Sequence, residues 1–296
     1  MYLLGGVMNT KSIAYKVSIN TIILNSILSL FKFLAGIIGK SQAMLSDSIH
    51  TLSDVLSTII VMIGIKVSNK SSDASHQYGH ERMECVASII LASLLFFTGI
   101  LVGYKGIKSI FNPESITTPT LFALIMAIIS ILVKEAMYWY TRKYALKINS
   151  NALMADAWHH RSDAMSSIGS LIGVVGAIYG IGILDAVASL IICLFILKVS
   201  IDIFIDSINK MVDKSCDEKL IDKYKSVIES IDGVDSIDII KSRLFGNMIY
   251  LDLEIGVDED KSLKEAHLIS HNVHDALENY DKNIKHCMIH VNPYKK

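Results

Sequence analysis

Two stretches decide the fold: residues 44–57, MLSDSIHTLSDVLS, and residues 155–167, ADAWHHRSDAMSS. Each contains H-x-x-x-D, His50 with Asp54 in the first and His159 with Asp163 in the second, and each lies in a run apolar enough to read as a membrane-crossing helix. Ionisable side chains at that depth cost about 2.5–3.5 kcal/mol each on insertion scales, so they ask for a function. On a helix, residues four apart lie about 6 Å apart along the axis and about 40° around it, so each pair points to one side at neighbouring levels. Two such helices facing each other offer two imidazoles and two carboxylates.

Around these stretches the composition is that of a membrane protein. The chain has 296 residues, 51% of them hydrophobic and only 19% charged, with a mean hydropathy of +0.44. A net charge of -1 gives no basic surface for nucleic acid. Six apolar stretches are long enough to cross a bilayer, near 13–38, 42–67, 83–104, 118–140, 152–179 and 183–209, with Pro113 between the third and fourth and Pro119 at the start of the fourth. With the N-terminus inside, Lys11, Lys16, Lys66, Lys70, Arg82, Arg142, Lys143 and Lys147 flank the cytoplasmic ends, against Lys40, Lys105 and Lys108 outside. Both termini are therefore expected in the cytoplasm.

Thirty of the charged residues fall from Lys210 onward, so the tail has water as its solvent. Its periodicity switches between helix at 217–231, strands at 234–243 and 247–257, helix at 261–280 and a strand at 286–291. The reading is an α-helical membrane protein, a six-helix transmembrane bundle over 1–209 followed by a small α+β cytoplasmic domain, α-β-β-α-β, over 210–296. About 85 residues leave that domain a modest core, so it is expected to dimerise.

Neutral imidazole and carboxylate oxygen at about 2.0–2.2 Å suit a tetrahedral divalent ion, and two carboxylates cancel a dication. His50, Asp54, His159 and Asp163 are thus the expected transport site, with zinc foremost and iron(II), cobalt, nickel, cadmium or manganese as alternatives. His160 and Arg161, on other faces of the fifth span, are read as packing residues. A second ligand group, Asp73, His76 and His80, precedes the third span, and a third, Asp238, Asp252, His267 and His290, is expected in the tail, which holds five of the ten histidines. Arg82 and Asp213 are expected to pair and tie spans to tail. Lys32, Lys134 and Glu135 fall within spans and receive no role. The absence of H-E-x-x-H argues against a membrane zinc hydrolase, leaving a non-transporting metal sensor as the rival to a transporter.

At these residues the sequence resembles the cation diffusion facilitator family of divalent-metal transporters, through MLSDSIHTLSDVLS, HQYGHERME at 76–84, ADAWHHRSDAMSS, and the tail from GVDSIDIIKSR at 233–243 through EAH at 265–267 to IHVNP at 289–293. The resemblance implies a homodimer with a ferredoxin-like cytoplasmic domain, and export by alternating access coupled to inward proton movement, in a cell-membrane protein that is not an enzyme and has metal as substrate and regulator rather than cofactor. Carried onto this chain, the family's transport site falls on His50, Asp54, His159 and Asp163. Its loop site falls on Asp73, His76 and His80, and its span-to-tail charge interlock on Arg82 and Asp213. His267 and His290 stand where relatives often have tail ligands, while Asp238, Asp252 and Asn292 stand where zinc-binding relatives often have His or Asp.

Overall fold

Long runs free of proline, with Gly and polar residues placed at helix contacts, form the first part of the chain. The structure is a computed structural model that describes residues 3–38, 42–111, 121–178 and 183–295. Pro113, Pro119 and Lys40 lie outside the described residues. The chain divides into two units, Met1–Ser207 and Ile208–Lys296. Among the described residues the first unit is built of α1 (Leu3–Ile38), α2 (Gln42–Ser68), α3 (Met83–Phe111), α4 (Leu121–Lys147), α5 (Asn151–Ile178) and most of α6 (Ile183–Met211). Among the described residues, three apolar stretches, Ser12–Ala35, Ser48–Ser68 and Met83–Lys108, are long and apolar enough to cross a membrane. α4 carries ionisable residues near mid-length, Lys134 and Glu135, and α5 carries Asp156, Arg161 and Asp163 in its N-terminal half.

α1 shows which solvent this unit is built for. Ser18, Thr21 and Asn25 are fully buried, whereas Leu30 and Phe31 are 58% and 56% exposed. That is the reverse of a water-soluble helix and suits apolar surroundings, where association rests on close packing and polar contacts between helices. α1 packs on α2 and α4, α4 on α5, and α3 on α2 and α5. Small residues set the spacing: a Cβ on Gly64 of α2 would lie 2.3 Å from the Ala87 Cβ of α3, and one on Gly103 of α3 would lie 2.6 Å from the Cys193 Sγ of α6. Lys32, buried in α1, donates to the Thr51 hydroxyl of α2 at 2.9 Å.

The second unit follows water-soluble logic. α7 (Glu218–Glu229) leads to β1 (Ser236–Phe245), β2 (Met248–Asp258), α8 (Leu263–Tyr280) and β3 (Ile284–Tyr294). The sheet order is β1-β2-β3, antiparallel between β1 and β2 and parallel between β2 and β3. The expected α-β-β-α-β order is present as a three-stranded sheet, without the first strand of a full ferredoxin-like β-α-β-β-α-β arrangement. Gly246, with φ of 65°, supports the two-residue turn between β1 and β2. Ser262 and Glu265 form a capping box that starts α8.

Alternation along β2 sends Leu251, Leu253 and Ile255 inward, against Tyr224 and Ile228 of α7 and Val273 and Leu277 of α8. Burial pushes the Cys287 thiol of β3 up to about 12; all four cysteines are buried and unpaired by disulfides.

Tyr224 is fully buried, and its hydroxyl donates to Asp281 at 2.7 Å. Burial, then the Asp281 carboxylate, raises the phenol's ionisation well above its ordinary range. A group raised by folding stabilises the native state fully below its unfolded value and loses that contribution as pH climbs beyond it. The tail should therefore lose stability above about pH 10. Denaturant titrations across pH 9–11 should show Tyr224→Phe starting about 1 kcal/mol less stable at neutral pH but falling less steeply on the alkaline side.

Candidate metal-transport site

The two H-x-x-x-D helices meet. Asp54 on α2 and Asp163 on α5 have side chains only 2% and 7% exposed. His50, one turn before Asp54, places Nε2 3.8 Å from Asp163 Oδ1, and His159, one turn before Asp163, places Nε2 3.4 Å from Asp54 Oδ1. The contacts cross: each imidazole approaches the other helix's carboxylate. Donor atoms of His50, Asp54 and Asp163 lie within 4.8 Å of one another, and His159 borders this trio through Asp54. An apolar surround makes such carboxylates costly unless a cation faces them.

The cation already facing them comes from α4. Lys134, 4% exposed, donates from Nζ to both Asp54 Oδ2 and Asp163 Oδ2, the latter at 3.0 Å. Sequence reading gave this lysine no role, because its partners lie 80 and 29 positions away and no spacing rule links them. Its neighbour Glu135 turns to a different face. It accepts from Trp139 Nε1 at 2.9 Å and lies 3.8 Å from Arg161. The Arg161 guanidinium in turn sits 4.4 Å from the Tyr138 ring centre and 5.7 Å from those of Trp139 and Trp158. His160 is fully buried, with Nε2 3.6 Å from Asp156 one turn earlier, and Thr58 of α2 donates to Asp156 at 3.1 Å.

The loop between α2 and α3 forms a second group, Asp73, His76 and His80. Asp73 Oδ1 accepts from the backbone N–H groups of Ser75 at 3.1 Å and His76 at 2.8 Å, and from the Ser75 hydroxyl at 2.8 Å. His76 Nδ1 stands 3.4 Å from Asp73 Oδ1 and His80 Nε2 3.5 Å from Oδ2. The Lys70 ammonium, 2.6 Å from Oδ2, then the Ser75 hydroxyl and the His76 N–H, hold the Asp73 carboxyl well below the usual carboxylate range. His80 is buried while Asp73 and His76 reach water.

Among the described residues these are the two groups of three or more ligating side chains, so the four tail residues do not converge within one chain. The reason is strand register. Asp252 pairs in register with Lys241 and Met288, whereas Glu254, two residues on, pairs with Ile239 and His290. Asp238 is the extra residue of a bulge between Ile237 and Ile239, and Asn292 donates to it at 2.8 Å and to Glu254 at 3.3 Å. Glu254, absent from the expected set, thus joins the Asp238–Asn292 row. His267 is exposed on α8, whose buried residues Ile269, Val273 and Leu277 pack into the core. Arg82 belongs to the first unit, just before α3, and Asp213 to the second, just after α6.

Residues 18–212 match the family model described as the cation efflux transmembrane domain, and residues 216–294 match that of the cation efflux protein cytoplasmic domain. The chain is similar to the manganese efflux system protein MneP of Bacillus subtilis, 33% identical over 291 residues that cover 96% of this chain and 97% of the relative. It is 36% identical to an uncharacterised transporter of Methanocaldococcus jannaschii, covering 92% of this chain and 95% of that one. It is 32% identical to the manganese efflux system protein MneS of Bacillus subtilis, covering 91% and 92%.

Because Asp73 accepts both amides of the loop turn, Asp73→Ala should loosen the backbone at residues 75–76. Hydrogen exchange read by mass spectrometry should show faster exchange there, with the helices on either side unchanged.

Proposed function

The chain belongs to the cation efflux family of multi-pass membrane transporters that move divalent metal cations and are not enzymes, and we propose that it exports a first-row divalent metal from the cytoplasm through His50, Asp54, His159 and Asp163. The observation that carries this reading is the crossing of two H-x-x-x-D pairs at buried carboxylates on two helices. All six helices α1 to α6 cross the membrane in this reading, with both termini in the cytoplasm, in the cell membrane and as a homodimer joined through the tail. Its two parts divide near residues 209–210.

The mechanism follows from the donor chemistry. A ligating imidazole must be free of its proton, so metal binding displaces protons and protons displace metal. Rocking of the bundle exposes the site alternately to the two sides, and competition at the same atoms couples metal movement to proton movement in the opposite direction. The loop group Asp73, His76 and His80 is a metal site at the cytoplasmic side. Tail ligands, shared between protomers, would make flux respond to cytoplasmic metal.

For the ion, we take manganese first. Two carboxylates and one imidazole form the convergent trio, a donor set rich in oxygen, and oxygen donors suit manganese. The names of two relatives point the same way. Zinc is the second reading, favoured by the full set of two imidazoles and two carboxylates.

Purified protein in sealed, proton-loaded liposomes should accumulate Mn2+ ahead of Zn2+, Fe2+, Co2+ and Cd2+ in competition. Asp54→Ala or Asp163→Ala should reduce uptake of every ion to that of protein-free vesicles. Wild-type uptake in either variant would remove the site from the pathway, and metal binding without uptake would make the chain a sensor.

A further inference from the structure

The buried ammonium at the centre of the site has no counterpart in the ligand set. Lys134 Nζ bonds one oxygen of Asp54 and one of Asp163, so it stands between the two carboxylates that a dication would have to bridge. The imidazoles face the Oδ1 atoms and the ammonium the Oδ2 atoms of the same two carboxylates, so a dication held among the imidazoles would sit within a carboxylate's width of the ammonium. Two like charges crowded into a low-dielectric interior also repel strongly. Ammonium and metal are therefore alternatives.

We propose that Lys134 is a tethered competitor of the transported ion: its side chain fills the unloaded site, swings off as metal enters, and returns as metal leaves. The inference rests on the transport site proposed above and deepens it. Lysine suits the task because its charge sits on a flexible four-carbon stem with rotatable donors, so the head can leave and return while α4 stays packed on α5. An empty site stripped of both metal and lysine would keep two carboxylates facing each other in the membrane interior. With Lys134 in place the unloaded site has a counter-ion of its own throughout the return half of the cycle. A fixed competitor also weakens binding, which helps release on the far side, since a site that holds its cargo too tightly does not let it go.

The test compares full-length protein in detergent, with the loop group silenced by His76→Ala and His80→Ala, and follows free Mn2+ by electron paramagnetic resonance; a parallel series with Zn2+ uses chelator competition. Lys134→Met removes the charge but keeps the stem, and should bind metal about tenfold tighter or more, as removal of an internal competitor requires. In liposomes the same variant should show a lower half-saturation concentration together with a lower maximal rate. A lysine that merely braced α4 against α2 and α5 would instead weaken binding when lost, and metal affinity in Lys134→Met equal to or below that of the parent overturns the proposal. Lys134→Arg keeps the cation and adds donors, so it should bind metal no tighter than the parent. Tighter binding there overturns the proposal even if the methionine variant fails to fold. Asp54→Ala separates the two levels: binding and uptake unchanged in it refute the transport site itself, whereas their loss in it alongside unchanged affinity in Lys134→Met refutes only the competitor.

Discussion

Two carboxylates shut away from water, Asp54 and Asp163, set the terms for everything packed around them. A charge in a low-dielectric interior persists only if another charge or a set of hydrogen bonds faces it. Here the compensation comes from three helices at once: imidazoles from α2 and α5, and an ammonium from α4. Bringing three backbones that close requires small residues at the contacts, and Gly64 against Ala87 illustrates the same spacing rule between α2 and α3. Charge compensation and helix packing are therefore one problem in this unit.

The two units solve their folding problems in opposite ways because their solvents differ. In α1, serine, threonine and asparagine point inward while leucine and phenylalanine point out. In the tail, alternation along β2 sends aliphatic side chains in and acids out. The bulge at Asp238 belongs to the second logic: it breaks the alternation at one residue and leaves that carboxylate on the surface beside Asn292 and Glu254.

The sequence was most legible where one helix or strand carries the information. The i, i+4 spacing within His50–Asp54 and within His159–Asp163 identified the side each pair faces, and the close trio at Asp73, His76 and His80 needed only a short loop. The alternating IYLDLEI placed β2. Information spread over several elements was hidden. That each histidine would approach the carboxylate of the other pair depends on how α2 and α5 cross. Lys134 meets its partners only through the packing of α4, so its spacing from them along the chain means nothing. In the tail, Asp252 and Glu254 lie on one face of a strand, and only the register with β3 tells that Glu254 is the one level with His290. His160, expected to pack, is indeed buried, yet it has Asp156 beside it as an ionisable neighbour.

The chain has two tryptophans, and both rings border the same guanidinium, that of Arg161. Trp139 lies on the helix that carries Lys134, and Trp158 lies on the one that carries Asp163, with no third indole to dilute their light. The protein thus holds a native optical gauge at the seam between α4 and α5. Any sliding of one helix along the other changes the distance from Trp139 on α4 to the Arg161 cation and to the second indole, Trp158, both carried by α5, and ultraviolet emission reads that seam without a dye attached.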